Sequence, residues 1–150
     1  MRQFSKKLIF FSSSVFVIDR ITKIIAVQFV GRTMNLGSFV HLQTSYNSGI
    51  AWGIAAPFWL MILLTPFIFF LLIIWWKQAY AQNKKWESIA SSAILVGAVS
   101  NLIDRIFYSG VIDFIAIGWW PVFNIADILI SVGVLLGGVQ ILRYETLSKT

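Results

Sequence analysis

Four apolar stretches of close to twenty residues partition this chain and constrain its fold more tightly than any other feature. Leu8 to about Val30, Phe58 to Trp76, Ile89 to about Tyr108 and Val122 to Leu142 each approach the ~20 residues that carry a helix across a bilayer. Hydrophobic residues make up 58% of the sequence and charged residues 12%, well outside the range of soluble domains. The expected fold is therefore an all-α polytopic membrane protein with four transmembrane helices. The connecting links are too short for a second domain, so residues 1–150 read as a single membrane-embedded unit.

Basic residues flank these stretches unevenly. Arg2, Lys6 and Lys7 precede the first; Lys77, Lys84 and Lys85 separate the second from the third; Arg143 and Lys149 follow the fourth. The positive-inside rule then places both termini in the cytoplasm and the links 31–57 and 109–121 outside. The first of these outer links, TMNLGSFVHLQTSYNSGIAWG, alternates polar and apolar residues between glycines, the pattern of a small β-rich element between helices 1 and 2. MRQFSKKLIFFSSSVFVI has the basic and apolar parts of a secretory signal, but Asp19-Arg20 follows where a small-residue cleavage site would stand, so it reads as an uncleaved anchor.

Absences narrow the chemistry. There is no cysteine, which excludes thiolate catalysis, disulfides and Cys-based metal sites. His41 is the only histidine, so no H-E-x-x-H metalloprotease helix exists.

The acidic residues are informative by depth. Only Glu87 and Glu145 lie on the cytoplasmic side, whereas Asp19, Asp104, Asp113 and Asp127 fall within or near the outer halves of the stretches. At about 1.5 Å of rise per residue, Asp19 and Lys23 sit roughly 16–23 Å from the inner start of the first span. Charges in a membrane cost on the order of 3 kcal/mol each on insertion scales, so their convergence marks a bundle interior or a wet cleft. Asn101, Asp104, Arg105 and Tyr108 share one helical face, and Asn124, Asp127 and Ser131 another. Asp113, on the link between these helices, can fold back toward Asp127 because Gly118 and Pro121 permit a reversal.

Two carboxylates held close together share a proton and titrate as a unit. An aspartic protease uses that arrangement: the ionised acid deprotonates a water, and the protonated one polarises the peptide carbonyl. No metal or cofactor is needed. The same residues have structural readings: Asp19 with Lys23 as an ion pair one turn apart, Asp104-Arg105 as an interfacial anchor, and Asn101 and Asn124 as interhelical hydrogen-bonding groups. A small proton-coupled transporter or channel also uses intramembrane carboxylates, but such proteins commonly show internal repeats and midplane sites, neither of which is visible in this sequence.

Four blocks carry a resemblance to a known family: DRITK (Asp19 to Lys23), NSGIAWG (Asn47 to Gly53), NLIDRIFYSGVIDFI (Asn101 to Ile115) and PVFNIAD (Pro121 to Asp127). In order and spacing they resemble the bacterial lipoprotein signal peptidases (signal peptidase II). The resemblance implies a membrane aspartic endopeptidase that cuts diacylglyceryl-modified prolipoproteins just before the lipidated cysteine. It implies Asp113 and Asp127 as the catalytic pair. Asn47, Gly49, Asn101, Arg105, Asn124 and Ala126 correspond to the active-site surround, and Asp19 and Lys23 to a supporting polar pair. It further implies a multi-pass protein of the bacterial cytoplasmic (inner) membrane with its site toward the outer leaflet, in contact with membrane lipids. Prolipoproteins and globomycin-like peptide inhibitors are the implied partners, and nucleic acid is not among them. Arg20, Ile50 and Ser100 depart from the family pattern, where glutamine, alanine and glycine are usual; Arg20 then reads as an unpaired charge and Ser100 as a residue that loosens helix packing.

Overall fold

The structure, a computed structural model, describes residues 2–49 and 57–148; Ile50, Trp52 and Gly53 of the NSGIAWG block lie outside the described residues. Its elements are α1 (Arg2–Val27), β1 (Thr33–Asn35), β2 (Val40–Asn47), α2 (Phe58–Ala81), α3 (Lys85–Tyr108), β3 (Val111–Ile117) and α4 (Ile125–Ser148). Each helix overlaps one of the four apolar stretches and runs past it into polar flanks. Lys, Gln and Glu are good helix formers, so the backbone ladder continues beyond the apolar run.

Among the described residues, Trp59–Ala81, Lys85–Tyr108 and Ile125–Tyr144 are long and apolar enough to cross a membrane. α1 is as long, at 26 residues, but carries Asp19, Arg20 and Lys23. Its charges point inward: Asp19 and Lys23 are fully buried, while Phe10, Phe11, Ile18, Ile21, Ile24 and Ile25 are exposed. The polar stripe thus faces protein and the apolar face points out. On α2, Trp59, Leu63, Phe67 and Phe70 are each at least 60% exposed, an apolar surface that suits lipid rather than water.

α3 is the central helix and packs against α4, α2 and α1, most extensively against α4. The α3–α4 approach depends on Gly97. A Cβ there would lie 2.5 Å from the Ala126 carbonyl oxygen and 2.8 Å from Ile130 Cγ1, so only a residue without a side chain lets α4 sit this close. Small residues at a helix crossing are the usual means of tight packing in membranes.

The strands correct the sequence reading. The β element is not confined to the link between α1 and α2: β3, from the link between α3 and α4, completes an antiparallel sheet in the order β1-β2-β3. Asp113 therefore stands on a strand rather than a loop. VIDFIAI is rich in β-branched residues and bounded by Gly110 and Gly118, which is the composition of a short buried strand. β2 pairs with β3 as Leu42↔Ile115 and then Ser45↔Asp113, so an extra β2 residue is accommodated between them. This bulge re-registers the strands and puts Asn47↔Val111 on the same side as Ser45↔Asp113. Gly110 permits the close approach: a Cβ there would lie 3.2 Å from the Asn47 carbonyl oxygen. Beyond β3 the chain turns at Gly118 (φ +52°), and Phe123 pairs back on Ile115, returning the chain to the start of α4.

Gly97→Ala is expected to destabilise the protein by about 1–3 kcal/mol through overpacking. Gly138→Ala, where an added Cβ meets nothing within 4 Å, should be neutral or slightly stabilising. Thermal unfolding in detergent checks this pair; equal loss in both variants would contradict the close α3–α4 crossing.

Candidate active site

The start of α4 builds half of the site. Asn124 immediately precedes the helix rather than lying on its first turn. Its Oδ1 accepts the Asp127 N–H at 2.9 Å, and Asp127 Oδ2 accepts the Asn124 N–H at 3.3 Å. This reciprocal pair is a capping box with aspartate in the usual Glu/Gln position. It satisfies two backbone donors and fixes the Asp127 carboxyl near the positive end of the helix dipole, where a negative charge is favoured.

β3 supplies the other half. Asp113 is 1% exposed, and its Oδ1 accepts from Asn124 Nδ2 at 2.6 Å. The Asn124 amide therefore spans the two acids, accepting from the Asp127 backbone and donating to the Asp113 side chain. Because Oδ1 is committed to a donor, Nδ2 must face Asp113, so the orientation of the amide is chemically determined. Burial, and then the charge of Asp127, push the Asp113 carboxyl up to about 7, against smaller opposing contributions from Asn124, Asn47 and Lys23.

Asn101 makes a second link. Its Oδ1 accepts from Lys23 Nζ at 2.8 Å, leaving Nδ2 to donate to Asp127 Oδ1 at 2.8 Å. Lys23 is fully buried and also meets Asp104 Oδ2 at 2.7 Å and Asp19 Oδ2 at 3.2 Å. Asp19 Oδ1 accepts the Ala126 backbone N–H at 2.8 Å, and Asp104 Oδ2 accepts that of Ile112 at 3.3 Å. Each supporting carboxylate thus grips the residue just before one of the candidate acids.

The structure changes several sequence assignments. Asp104 pairs with Lys23 and Arg20, not with Arg105. Arg105 instead reaches the Gly49 carbonyl from Nη2 at 3.4 Å, and its Nε is buried with no hydrogen-bond partner among the described residues. Asn47 Oδ1 accepts the Gly49 N–H at 2.9 Å, so Asn47 and Gly49 form a small turn beside the site. Arg20 is not unpaired: its Nη1 contacts Asp104 Oδ1 at 2.5 Å and Ser100 at 3.2 Å. Ser100 Oγ donates to Asp19 Oδ2, so Ser100 ties α3 to α1 instead of loosening it. Ser131 and Tyr108 are exposed and fall outside the cluster; Tyr108 packs on Tyr46 with ring centroids 6.4 Å apart. His41 lies away from the acids and bonds Asn35 Oδ1 at 2.9 Å. The backbone amides of Ile112 and Ala126 were illegible as site groups because every residue has an amide and only the fold selects these two.

Known proteins resemble this chain in both sequence and fold. Residues 11–143 match the family described as signal peptidase (SPase) II. A lipoprotein signal peptidase of Listeria monocytogenes serotype 4a is 38% identical over 135 residues, covering 82% of this chain and 84% of the relative. One from Clostridium novyi is 34% identical over 138 residues, covering 85% and 91%. A solved bacterial membrane enzyme superposes with a TM-score of 0.84 at 29% identity, covering 97% of this chain and 92% of the other. With three helices apolar enough to cross a membrane, the protein is a multi-pass membrane peptidase, and the chain belongs to the signal peptidase II family.

Proposed function

We propose that the protein is an aspartic endopeptidase that removes signal peptides from diacylglyceryl-modified prolipoproteins, cutting just before the lipidated cysteine, with Asp113 and Asp127 as its catalytic pair. The observation that carries this reading is Asn124, whose side-chain amide donates to the Asp113 carboxyl and whose backbone N–H donates to the Asp127 carboxyl, so that one residue contacts both carboxyl groups. Asp113, buried and pushed up to about 7, carries the proton. Asp127, which receives hydrogen bonds from Asn101 and the Asn124 backbone, acts as the base.

In this mechanism Asp127 removes a proton from a water as its oxygen attacks the scissile carbonyl, while the Asp113 proton stabilises the developing oxyanion. Collapse of the tetrahedral intermediate breaks the C–N bond, and a proton passes from the pair to the leaving amine of the lipid-modified cysteine. Asn47, Gly49 and Arg105 line the approach; Arg105 Nε, without a hydrogen-bond partner among the described residues, offers a donor to the substrate backbone.

The proposed topology is a single membrane-embedded peptidase domain over residues 1–150 in the bacterial inner membrane, with α1 as the fourth span and both termini cytoplasmic. The inward charges and outward apolar face of α1 support its crossing, since the costly groups are paired inside the bundle. The sheet and both acids then lie toward the outer leaflet, where the substrate's lipid stays in the bilayer as its peptide bond enters the site. Membrane lipids surround the helices, and globomycin-like peptides are proposed as site-directed inhibitors.

Asp113→Asn and Asp127→Asn should each reduce cleavage of a diacylglyceryl-modified prolipoprotein by on the order of 10²–10⁴-fold or more while leaving the protein folded. Gel-shift assays of purified protein in detergent read this out. Retained cleavage by either variant would remove it from the dyad, and an inactive, folded parent would favour the transporter reading.

Cleavage should also depend on pH in a defined direction. Below about 7 Asp113 holds its proton; above it that proton leaves, so activity falls as pH rises through that value. At the acid end it falls again when Asp127 is protonated too, since no base remains. A pH profile of kcat tests this, and a flat response on the alkaline side would contradict a protonated Asp113.

A further inference from the structure

Arg20 and Ser100 sit beside the candidate acids without touching them. Arg20 projects from α1 and is 17% exposed at its side chain, while Asp104 opposite is fully buried. Its Nη1 meets Asp104 Oδ1, the Ser100 carbonyl and Ser100 Oγ. Ser100 Oγ donates in turn to Asp19 Oδ2. The hydroxyl is therefore used in both directions, as acceptor from Arg20 and donor to Asp19, and it joins two carboxylates that do not otherwise share Arg20.

Arg20 brings the buried charge cluster to neutrality. Asp19, Asp104, Lys23 and Arg20 form a neutral group of two carboxylates and two cations. Without Arg20, Lys23 alone faces both carboxylates, and the group is left with one uncompensated negative charge in a buried setting, where such a charge is costly. The same carboxylates grip the Ile112 and Ala126 amides, so any loss of order in them passes to β3 and to the first turn of α4.

We infer that Arg20, bridged by Ser100, is a positioning residue that neutralises and orients the buried carboxylates Asp19 and Asp104, and through them sets the placement of Asp113 and Asp127. The catalytic consequence rests on the peptidase reading above; the structural consequence does not. Charged groups reach the pair from three helices: Asp19, Arg20 and Lys23 on α1, Asp104 and Arg105 on α3, and Asp127 itself on α4. β2 contributes Asn47, which is uncharged. Removing the Arg20 charge makes this surrounding more negative, so the proton shared by the acids is held to higher pH.

The test compares the parent with Arg20→Gln, Arg20→Lys and Ser100→Ala in the same detergent. Amide hydrogen exchange is the first measurement. Arg20→Gln should speed exchange about tenfold at Ile112 and Ala126 and leave α2 unchanged, and Ser100→Ala should affect the same amides more weakly. In the cleavage assay, Arg20→Gln should lower kcat several-fold with KM nearly constant and move the alkaline limb of the pH profile up by about half a unit. Arg20→Lys, which restores the charge but not the contacts with Ser100, should return the pH profile to that of the parent. An active parent whose Arg20→Gln variant keeps the same exchange and pH profile overturns the inference, as does faster exchange spread evenly over all helices. A parent that cleaves nothing removes the peptidase reading, and the exchange pattern alone then decides whether Arg20 positions the two segments.

Discussion

The structure depends on one buried cation. Lys23 meets Asp19, Asp104 and Asn101, and each of these continues to a different part of the site. Asp19 goes to the Ala126 amide, Asp104 to the Ile112 amide, and Asn101 to the Asp127 carboxyl. A fully buried lysine is tolerated only when its charge is paired and its hydrogen-bonding capacity is used. Here that requirement draws α1, α3, β3 and α4 to one point.

Packing and chemistry meet at the same place. Ala126, whose amide Asp19 holds, is also the residue whose carbonyl Gly97 allows close to α3. Its neighbour Asp127 is therefore located by a backbone hydrogen bond, a helix cap and a steric contact at once. Asp113 is located by strand register, by the bulge in β2 and by the Asn124 amide. The proposed sharing of a proton between these two acids depends on such redundancy, because small changes in separation alter which acid is charged.

Much of this was legible in the sequence. Length and apolarity located the helices, since the ~20-residue requirement depends only on bilayer thickness. The depth of the aspartates pointed to their clustering, because charge in lipid is too costly to be scattered, and the structure brings them into one hydrogen-bonded group. β3 was less legible: its apolar run carries no strict alternation, so the pairing that makes it a strand came from β2, distant in sequence. Arg20 was misread for a related reason. Helical spacing relates it to its own helix, whereas its partners Asp104 and Ser100 lie on α3. Asp104-Arg105 failed in the opposite way, because adjacent helical residues point to different sides and only Asp104 faces α1.

Burial, and then the charge of Asp127, keep Asp113 protonated up to about pH 7. Infrared difference spectroscopy with isotope-labelled aspartate, titrated through pH 7, measures this directly. The expected result is a protonated carboxyl band that disappears as pH rises through about 7, is absent from Asp113→Asn, and shifts to lower pH when Asp127 is replaced by Asn. A band absent at neutral pH, or one that persists unchanged in Asp113→Asn, would contradict it.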